Sequence, residues 1–260
     1  YNKLYHRKIH YVVIGGWLDS FLDEHKWLVR LLKKFDAIYV ESDMMKSALQ
    51  RRGFENAVVM YNFKELEPLA ESDIEYPKSE PYKLCTFSRV MKEKGIEDAI
   101  NAVESVNAHF GRTVYTLDIF GQVDVEYKER FSQLEKSFPD YISYGGAIEA
   151  NKSIETLKSY FALLFPTYYK GEGFAGTLID AMSAGVPVIA SDWKYNSEFV
   201  VPGKTGVIIE NCNAERLAEE LINIAAAPEK WNSMRLSALK ESEKYKPDIA
   251  ARPLIDRING

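Results

Sequence analysis

Residues 171–182 read Gly-Glu-Gly-Phe-Ala-Gly-Thr-Leu-Ile-Asp-Ala-Met, with Gly171, Gly173 and Gly176 close together and two carboxylates, Glu172 and Asp180, separated by seven residues. Glycines let a main chain pass close to a ligand with no Cβ in the way. An apolar run ends just upstream at Phe165, and helix-period residues begin at Thr177, so the stretch reads as a strand-to-helix turn. The N–H groups at the start of such a helix are unpaired and sit at the positive end of its dipole, a natural seat for phosphate. On the loop, Glu172 suits the hydroxyls of a sugar. Asp180, one turn into the helix, suits a second polyol on the same ligand. The same two carboxylates at this spacing also fit as caps on the helix N-terminus, and the glycine-rich turn alone does not choose between the readings.

A second stretch, residues 87–96, reads Phe-Ser-Arg-Val-Met-Lys-Glu-Lys-Gly-Ile and again lies where a strand pattern gives way to a helix pattern. Arg89 can fork onto a diphosphate and Lys94 adds a point charge. Glu93 offsets part of that charge, and a solvated pair of surface cations is the plain alternative. In an open parallel sheet, ligands bind beyond the carboxyl ends of the strands, so both loops are expected to open onto one crevice. Two cations for a diphosphate and two carboxylates for sugar and ribose hydroxyls then make a consistent nucleotide-sugar pocket.

The elements that must position these loops follow from alternating strand and helix periods, which predict βαβ units. Strands are expected at residues 11–14, 37–40 and 57–61, with helices at 20–35 and 44–52, the latter closed by Gly53. In the first helix Trp27, Leu28, Leu31, Leu32 and Phe35 form an apolar stripe. Residues 64–81 hold Pro68, Pro77 and Pro81 among many Glu residues and read as a linker. Six further strands are expected at 84–88, 114–120, 141–144, 160–165, 187–191 and 206–209. Helices at 96–107, 126–136, 153–158, 177–184 and 214–226 interleave with them, a doubly wound pattern. Two helical segments, 229–244 and 248–258, end the sequence.

Of the 260 residues, 46% are hydrophobic, ample for a core. The net charge of −5 argues against nucleic acid, yet residues 1–64 hold 11 Lys and Arg against 7 Asp and Glu, a net +4 that leaves −9 for the remainder. A basic front fits an anionic acceptor or membrane surface, or a merely solvated face. No apolar stretch reaches the roughly 20 residues of a membrane span, and no basic leader with a cleavage site stands at the front, so a cytoplasmic chain is expected. The cysteines, Cys85 and Cys212, are expected as free thiols. His6, His10, His25 and His109 show no ligand spacing, so no metal is assigned. Glu41-Ser42-Asp43 reads as a strand end and helix cap. Tyr168 and Tyr169 suit either the flank of the sugar site or, the favoured reading, aromatic packing, and Glu198 is expected as structural.

Residues 161–190 resemble glycosyltransferase family four, whose hallmark is two acidic residues separated by seven others, here Glu172 and Asp180. Residues 87–96 resemble the same family's Arg-to-Lys phosphate motif, residues 35–45 a strand and helix late in its N-terminal domain, and residues 58–63 its exit strand. The resemblance implies an α/β chain of GT-B fold, with a complete C-terminal Rossmann-like domain at 82–244, the partial end of an N-terminal acceptor-side domain at 1–63, a linker at 64–81, and a C-terminal helix at 245–260 packing back on the N-terminal domain. It implies an N-terminally truncated, retaining hexosyltransferase of bacterial polysaccharide type. Neither metal nor cofactor is implied beyond the co-substrate, with a UDP-sugar favoured over a GDP-sugar. Arg89 and Lys94 would hold the diphosphate, Glu172 the donor sugar and Asp180 the ribose. The backbone of Gly173, Phe174, Ala175, Gly176, Thr177 and Leu178 would line the sugar-phosphate, and Gly146, Ala147 and Ile148 would lie beside the base, with Glu149 and Lys152 nearby.

The sequence departs from that pattern at Asp180, where the family has Glu, and at Gly15-Gly16-Trp17, where the family often has a histidine after the strand. The acceptor expected is a saccharide or lipid-linked saccharide, met peripherally at the inner face of the membrane through Lys26, Lys33, Lys34, Arg51 and Arg52. The rival readings are a catalytically silent donor-binding or scaffolding module and a GT-B sugar-nucleotide epimerase.

Overall fold

The computed structural model describes residues 7–210 and 212–259. The chain divides into two compact units, one made of Tyr1–Glu65, Lys170–Gly176 and Lys244–Gly260, the other of Leu66–Tyr169 and Thr177–Glu243.

In the first unit, β1 (His10–Val12), β2 (Ala37–Val40) and β3 (Ala57–Val59) form a parallel sheet in that order. All four residues of β2, Ala-Ile-Tyr-Val, are buried, as expected of a central parallel strand covered on both faces. The helix Asp43–Arg51 follows, and Ser42 caps it by accepting the Met45 N–H at 3.0 Å, which is the cap expected there.

The single helix expected over 20–35 is instead two, Leu18–Glu24 and Lys26–Leu32, broken at His25. His25 leaves helical geometry (φ −119°, ψ 52°) and stacks its ring on Phe21 at 4.0 Å. The break rotates the expected stripe out of register: Leu18, Leu22 and Leu32 are buried, while Trp27 is 67% exposed. Arg52, expected on a basic face, instead bonds Asp19 at 2.5 Å and Asp23 at 2.7 Å. Lys26, Lys34 and Arg51 do remain exposed.

The second unit holds, among the described residues, six parallel strands: β4 (Tyr82–Phe87), β5 (Tyr115–Phe120), β6 (Ile142–Gly146), β7 (Ala162–Phe165), β8 (Val188–Ser191) and β9 (Gly206–Ile209). Their order is β6-β5-β4-β7-β8-β9, so the winding reverses between β4 and β7. A reversal of this kind parts the loops above it and opens a crevice at the carboxyl ends. Helix Ile96–Phe110 buries Ile96, Ala99, Ile100, Val103, Val106 and Asn107, a stripe of helical period facing the sheet. The inward Asn107 accepts the N–H groups of Val114 and Tyr115 at 2.8 and 3.0 Å and donates to the Tyr115 carbonyl at 2.9 Å, docking the helix on the start of β5.

At the carboxyl edge the backbones approach closely. Gly121, just past β5, has φ 138°, and a Cβ there would lie 1.8 Å from the Ser88 carbonyl oxygen. Gly121→Ala should therefore destabilise the chain by about 3 kcal/mol or more. Gly111→Ala has open space around its Cβ and differs only in its positive φ of 63°, so it should cost about 1 kcal/mol. Urea midpoints of the two variants at unchanged slope test the contrast, and equal midpoints would reject it.

Candidate functional site

In the second unit, β4 and β7 pair directly, with Leu84 opposite Ala162 and Cys85 opposite Leu163. The loop after β4 is laid along the end of β5: Ser88 donates to Phe120 at 3.1 Å, Val90 to Gln122 at 2.9 Å, and Asp124 back to Val90 at 2.9 Å. A 3-10 turn, Lys92–Lys94, leads to Gly95 in the left-handed region (φ 70°). A Cβ at Gly95 would sit 2.3 Å from the Pro166 carbonyl oxygen, so glycine alone lets this turn close against the end of β7. The contact is then bonded, because the Glu93 carbonyl accepts from the Tyr168 N–H at 2.8 Å and the Thr167 hydroxyl at 3.3 Å. The two loops singled out as phosphate and sugar loops thus leave neighbouring strands.

Arg89 and Lys94 are carried on this edge. Lys94 is half-buried, and its Nζ lies 5.4 Å from the Phe165 ring centre and 5.2 Å from that of Tyr169, each an attraction of about 0.5–2 kcal/mol. Tyr169 therefore does more than fill space. The Arg89 side chain is 60% exposed and its Nη1 stands 3.8 Å from Asp124 Oδ2, an ion pair worth roughly 0–1 kcal/mol. Arg89 stays on firm backbone with an exposed side chain that an anion can recruit.

Gly146 ends β6, and its carbonyl accepts the Gly121 N–H at 2.9 Å. Ala147 is exposed and Ile148 half-buried in the turn that follows. Glu149 and Lys152 pair with each other at 3.1 Å. In helix Gly176–Ser183, Leu178 is buried, and the Thr177 hydroxyl oxygen is a buried side-chain atom without a hydrogen-bond partner among the described residues. Asp180 is 2% exposed and accepts the Ser153 hydroxyl at 2.8 Å. A ribose hydroxyl would have to share that carboxylate with Ser153. Beyond β8, the Trp193 indole donates to the Tyr169 carbonyl at 2.7 Å, and Lys194 is held at φ 54°. A non-glycine residue in that region stores strain of a kind that gathers at functional loops.

Glu172, Gly173, Phe174, Ala175 and Gly176 belong to the first unit, which takes in the whole segment Lys170–Gly176. Glu172 is 5% exposed. Phe174, expected to line a ligand with its backbone, has partners within its own unit. Its N–H bonds Glu41 Oε2 at 3.1 Å, its carbonyl accepts from Asn62 Nδ2 at 2.9 Å, and its ring packs edge-on against Tyr245 at 4.6 Å. Ala175 and Gly176 are half-buried.

Glu41 is the residue that the sequence pattern missed. Burial pushes its carboxyl above the usual carboxylate range, against the two N–H groups that favour the charged form, and the nearby negative charge of Glu172 adds to the rise. The physical consequence has a definite sign. A carboxyl raised on folding contributes stability below its ordinary pKa and loses it as pH climbs through the folded value. Replacing Glu41 by Gln removes that loss, so the Tm of Glu41→Gln relative to the parent should rise as pH climbs above the ordinary carboxylate range. A flat difference above that range would contradict the buried, raised carboxyl.

Cys85 is buried and Cys212 half-buried, both free. Among the described residues, no group of His, Cys, Asp or Glu is gathered as metal ligands would be, and no helix is long and apolar enough to cross a membrane. His10 bonds the Tyr39 hydroxyl at 3.1 Å, and His6 lies outside the described residues.

Residues 70–241 match the family model described as glycosyl transferases group 1. The chain is 30% identical over 178 residues to the UDP-N-acetylglucosamine–peptide N-acetylglucosaminyltransferase GtfA subunit of Streptococcus gordonii, covering 65% of this chain and 34% of that protein. Among solved structures, it is similar to HepE of Anabaena in complex with UDP, with a TM-score of 0.81 at 16% identity over 99% of this chain and 74% of that one. It is also similar to a TarM variant of S. aureus in complex with UDP and sugar ligands, with a TM-score of 0.75 at 19% identity over 97% of this chain and 51% of that one. These likenesses show the α/β fold with parallel sheets of the GT-B structures. The chain spans half the length or less of the first three curated relatives it matches, at 34%, 50% and 41%.

Proposed function

The chain belongs to the group 1 glycosyl transferases, and on that premise we propose that it serves as a family-four, retaining hexosyltransferase. In this reading it moves a hexose or N-acetylhexosamine from a UDP-sugar, in preference to a GDP-sugar, onto a saccharide or lipid-linked saccharide. Assembly of cell-surface polysaccharide at the cytoplasmic face of the membrane is the setting that suits such a reaction.

The observation that supports the reading is the bonded pair of loops at the β4–β7 reversal, one of which carries Arg89 and Lys94. Those cations, with the N–H groups of Thr177 and Leu178 and the unpartnered Thr177 hydroxyl, suit a diphosphate whose charge grows as the glycosyl bond breaks. Glu172 would contact the donor sugar and Asp180 the ribose. Gly146, Ala147 and Ile148 would lie beside the base. The departing diphosphate takes the acceptor proton on the face it leaves, which retains the anomeric configuration. UDP bound to HepE and to TarM, and the UDP-linked donor in the name of the streptococcal relative, support the choice of nucleotide.

A thermal-shift screen of UDP-N-acetylglucosamine, UDP-glucose, GDP-mannose and ADP-glucose tests the donor. The largest stabilisation is expected with a UDP-sugar, and saturation at 100 times Kd adds about 2.7 kcal/mol. No shift with any of the four would sink the reading. Arg89→Ala should weaken the best donor by about tenfold or more, near 1.4 kcal/mol. A smaller loss removes Arg89 from the diphosphate. Donor binding without sugar transfer to any saccharide acceptor would favour a binding module over an enzyme.

A further inference from the structure

Glu41 stands one residue beyond β2 and is 6% exposed. Its Oε2 accepts the Gly15 N–H and the Phe174 N–H, each at 3.1 Å. The donors lie 26 residues before it and 133 residues after it, so one oxygen pins the loop after β1 to the segment that carries Glu172. The approach depends on Gly173: a Cβ there would lie 2.2 Å from that same oxygen and 2.7 Å from Gly15 Cα. Alongside, the Gly16 N–H reaches the Gly171 carbonyl at 3.3 Å. Asn62 and Tyr245 hold Phe174 by its carbonyl and ring. Glu172 is therefore fixed on both flanks, through Gly171 before it and through Gly173 and Phe174 after it.

We propose that Glu41 is a positioning residue for the donor sugar: by clamping Gly15 and Phe174 it sets the place of Glu172, without touching the donor. The proposal rests on the glycosyltransferase reading. A clamp of this kind acts on the sugar contact alone, and that separates it from a general structural role. Loss of the clamp should weaken a UDP-sugar and spare UDP.

The test uses the full chain, with UDP-N-acetylglucosamine and UDP-glucose as probes and UDP as the sugar-free control. Glu41→Ala should weaken the better-bound UDP-sugar by about tenfold or more and hold UDP within about twofold. Glu41→Gln, whose amide oxygen accepts the same two N–H groups, should recover the sugar-dependent part. Glu41→Ala combined with Glu172→Ala should lose no more than Glu172→Ala alone, because both changes remove one contact. Amide exchange of a peptide over residues 171–176 should quicken in Glu41→Ala, stay at the parent rate in Glu41→Gln, and leave β5 unchanged. Should Glu41→Ala fail to fold, Glu41→Asp, which draws the oxygen back by one methylene, makes the same comparison. Equal losses of UDP and UDP-sugar, additive losses in the double variant, or unchanged exchange at 171–176 each overturn the clamp while leaving the function intact. A parent chain that binds neither UDP nor either UDP-sugar overturns the function, and the role toward the donor falls with it.

Discussion

Everything the second unit can offer a ligand depends on the parallel pairing of β4 with β7. These strands are far apart in sequence, and β4 meets β5 on its other side, so the connections diverge at this point. Parallel strands joined by crossovers send every following loop to the same edge. The pairing alone would leave two loose loops. What binds them is the missing side chain at Gly95, which lets the 3-10 turn close on Pro166 and lets the Glu93 carbonyl collect two donors from the far loop. The backbone that carries Arg89 and Lys94 is thus placed by these contacts. The long ion pair of Arg89 with Asp124 is worth about 1 kcal/mol or less, well below what a doubly charged phosphate group returns through charge-assisted hydrogen bonds.

The first unit shows a different economy. Each N–H bond to the Glu41 carboxylate contributes about 1.5–3 kcal/mol, while taking a carboxylate out of water costs several kcal/mol. The raised carboxyl of Glu41 shows that desolvation is the larger influence on its charge. Such a group does little for net stability. Its effect is geometric, since two backbone segments distant in sequence must meet on one oxygen. Removing the side chain would also leave two N–H groups without their acceptor, at about 1–3 kcal/mol each where they stay dry.

Phe174 illustrates what a motif read by position leaves out of its own backbone. Its neighbours in the glycine-rich stretch resemble a ligand-facing turn, and the spacing of Glu172 and Asp180 carries that resemblance. Yet Phe174 turns its N–H, carbonyl and ring inward, to Glu41, Asn62 and Tyr245. None of these partners lies near Phe174 in the chain. Asp180 shows the same limit, for its partner Ser153 comes from another helix.

Local periodicity by itself determined a good deal. The six strands of the second unit and the helices between them were legible because apolar runs and helical stripes are properties of neighbouring residues. The Ser42 cap was legible for the same reason, as its bond spans three positions. The break at His25 was not, because the stripe of residues 27–35 fits a helix of either register, and only tertiary packing chooses the face that is buried. Gly121 stood in plain view after β5, but its need for glycine comes from the Ser88 carbonyl of another strand's loop. Glu41 read as a strand end, and its second partner lies 133 residues away. Sequence pattern thus settled which residues form elements, since that is decided within one or two turns. Which side chains meet across the fold was decided by tertiary structure, because hydrogen bonds and close backbone contacts act over a few ångströms in space, whatever their distance along the chain.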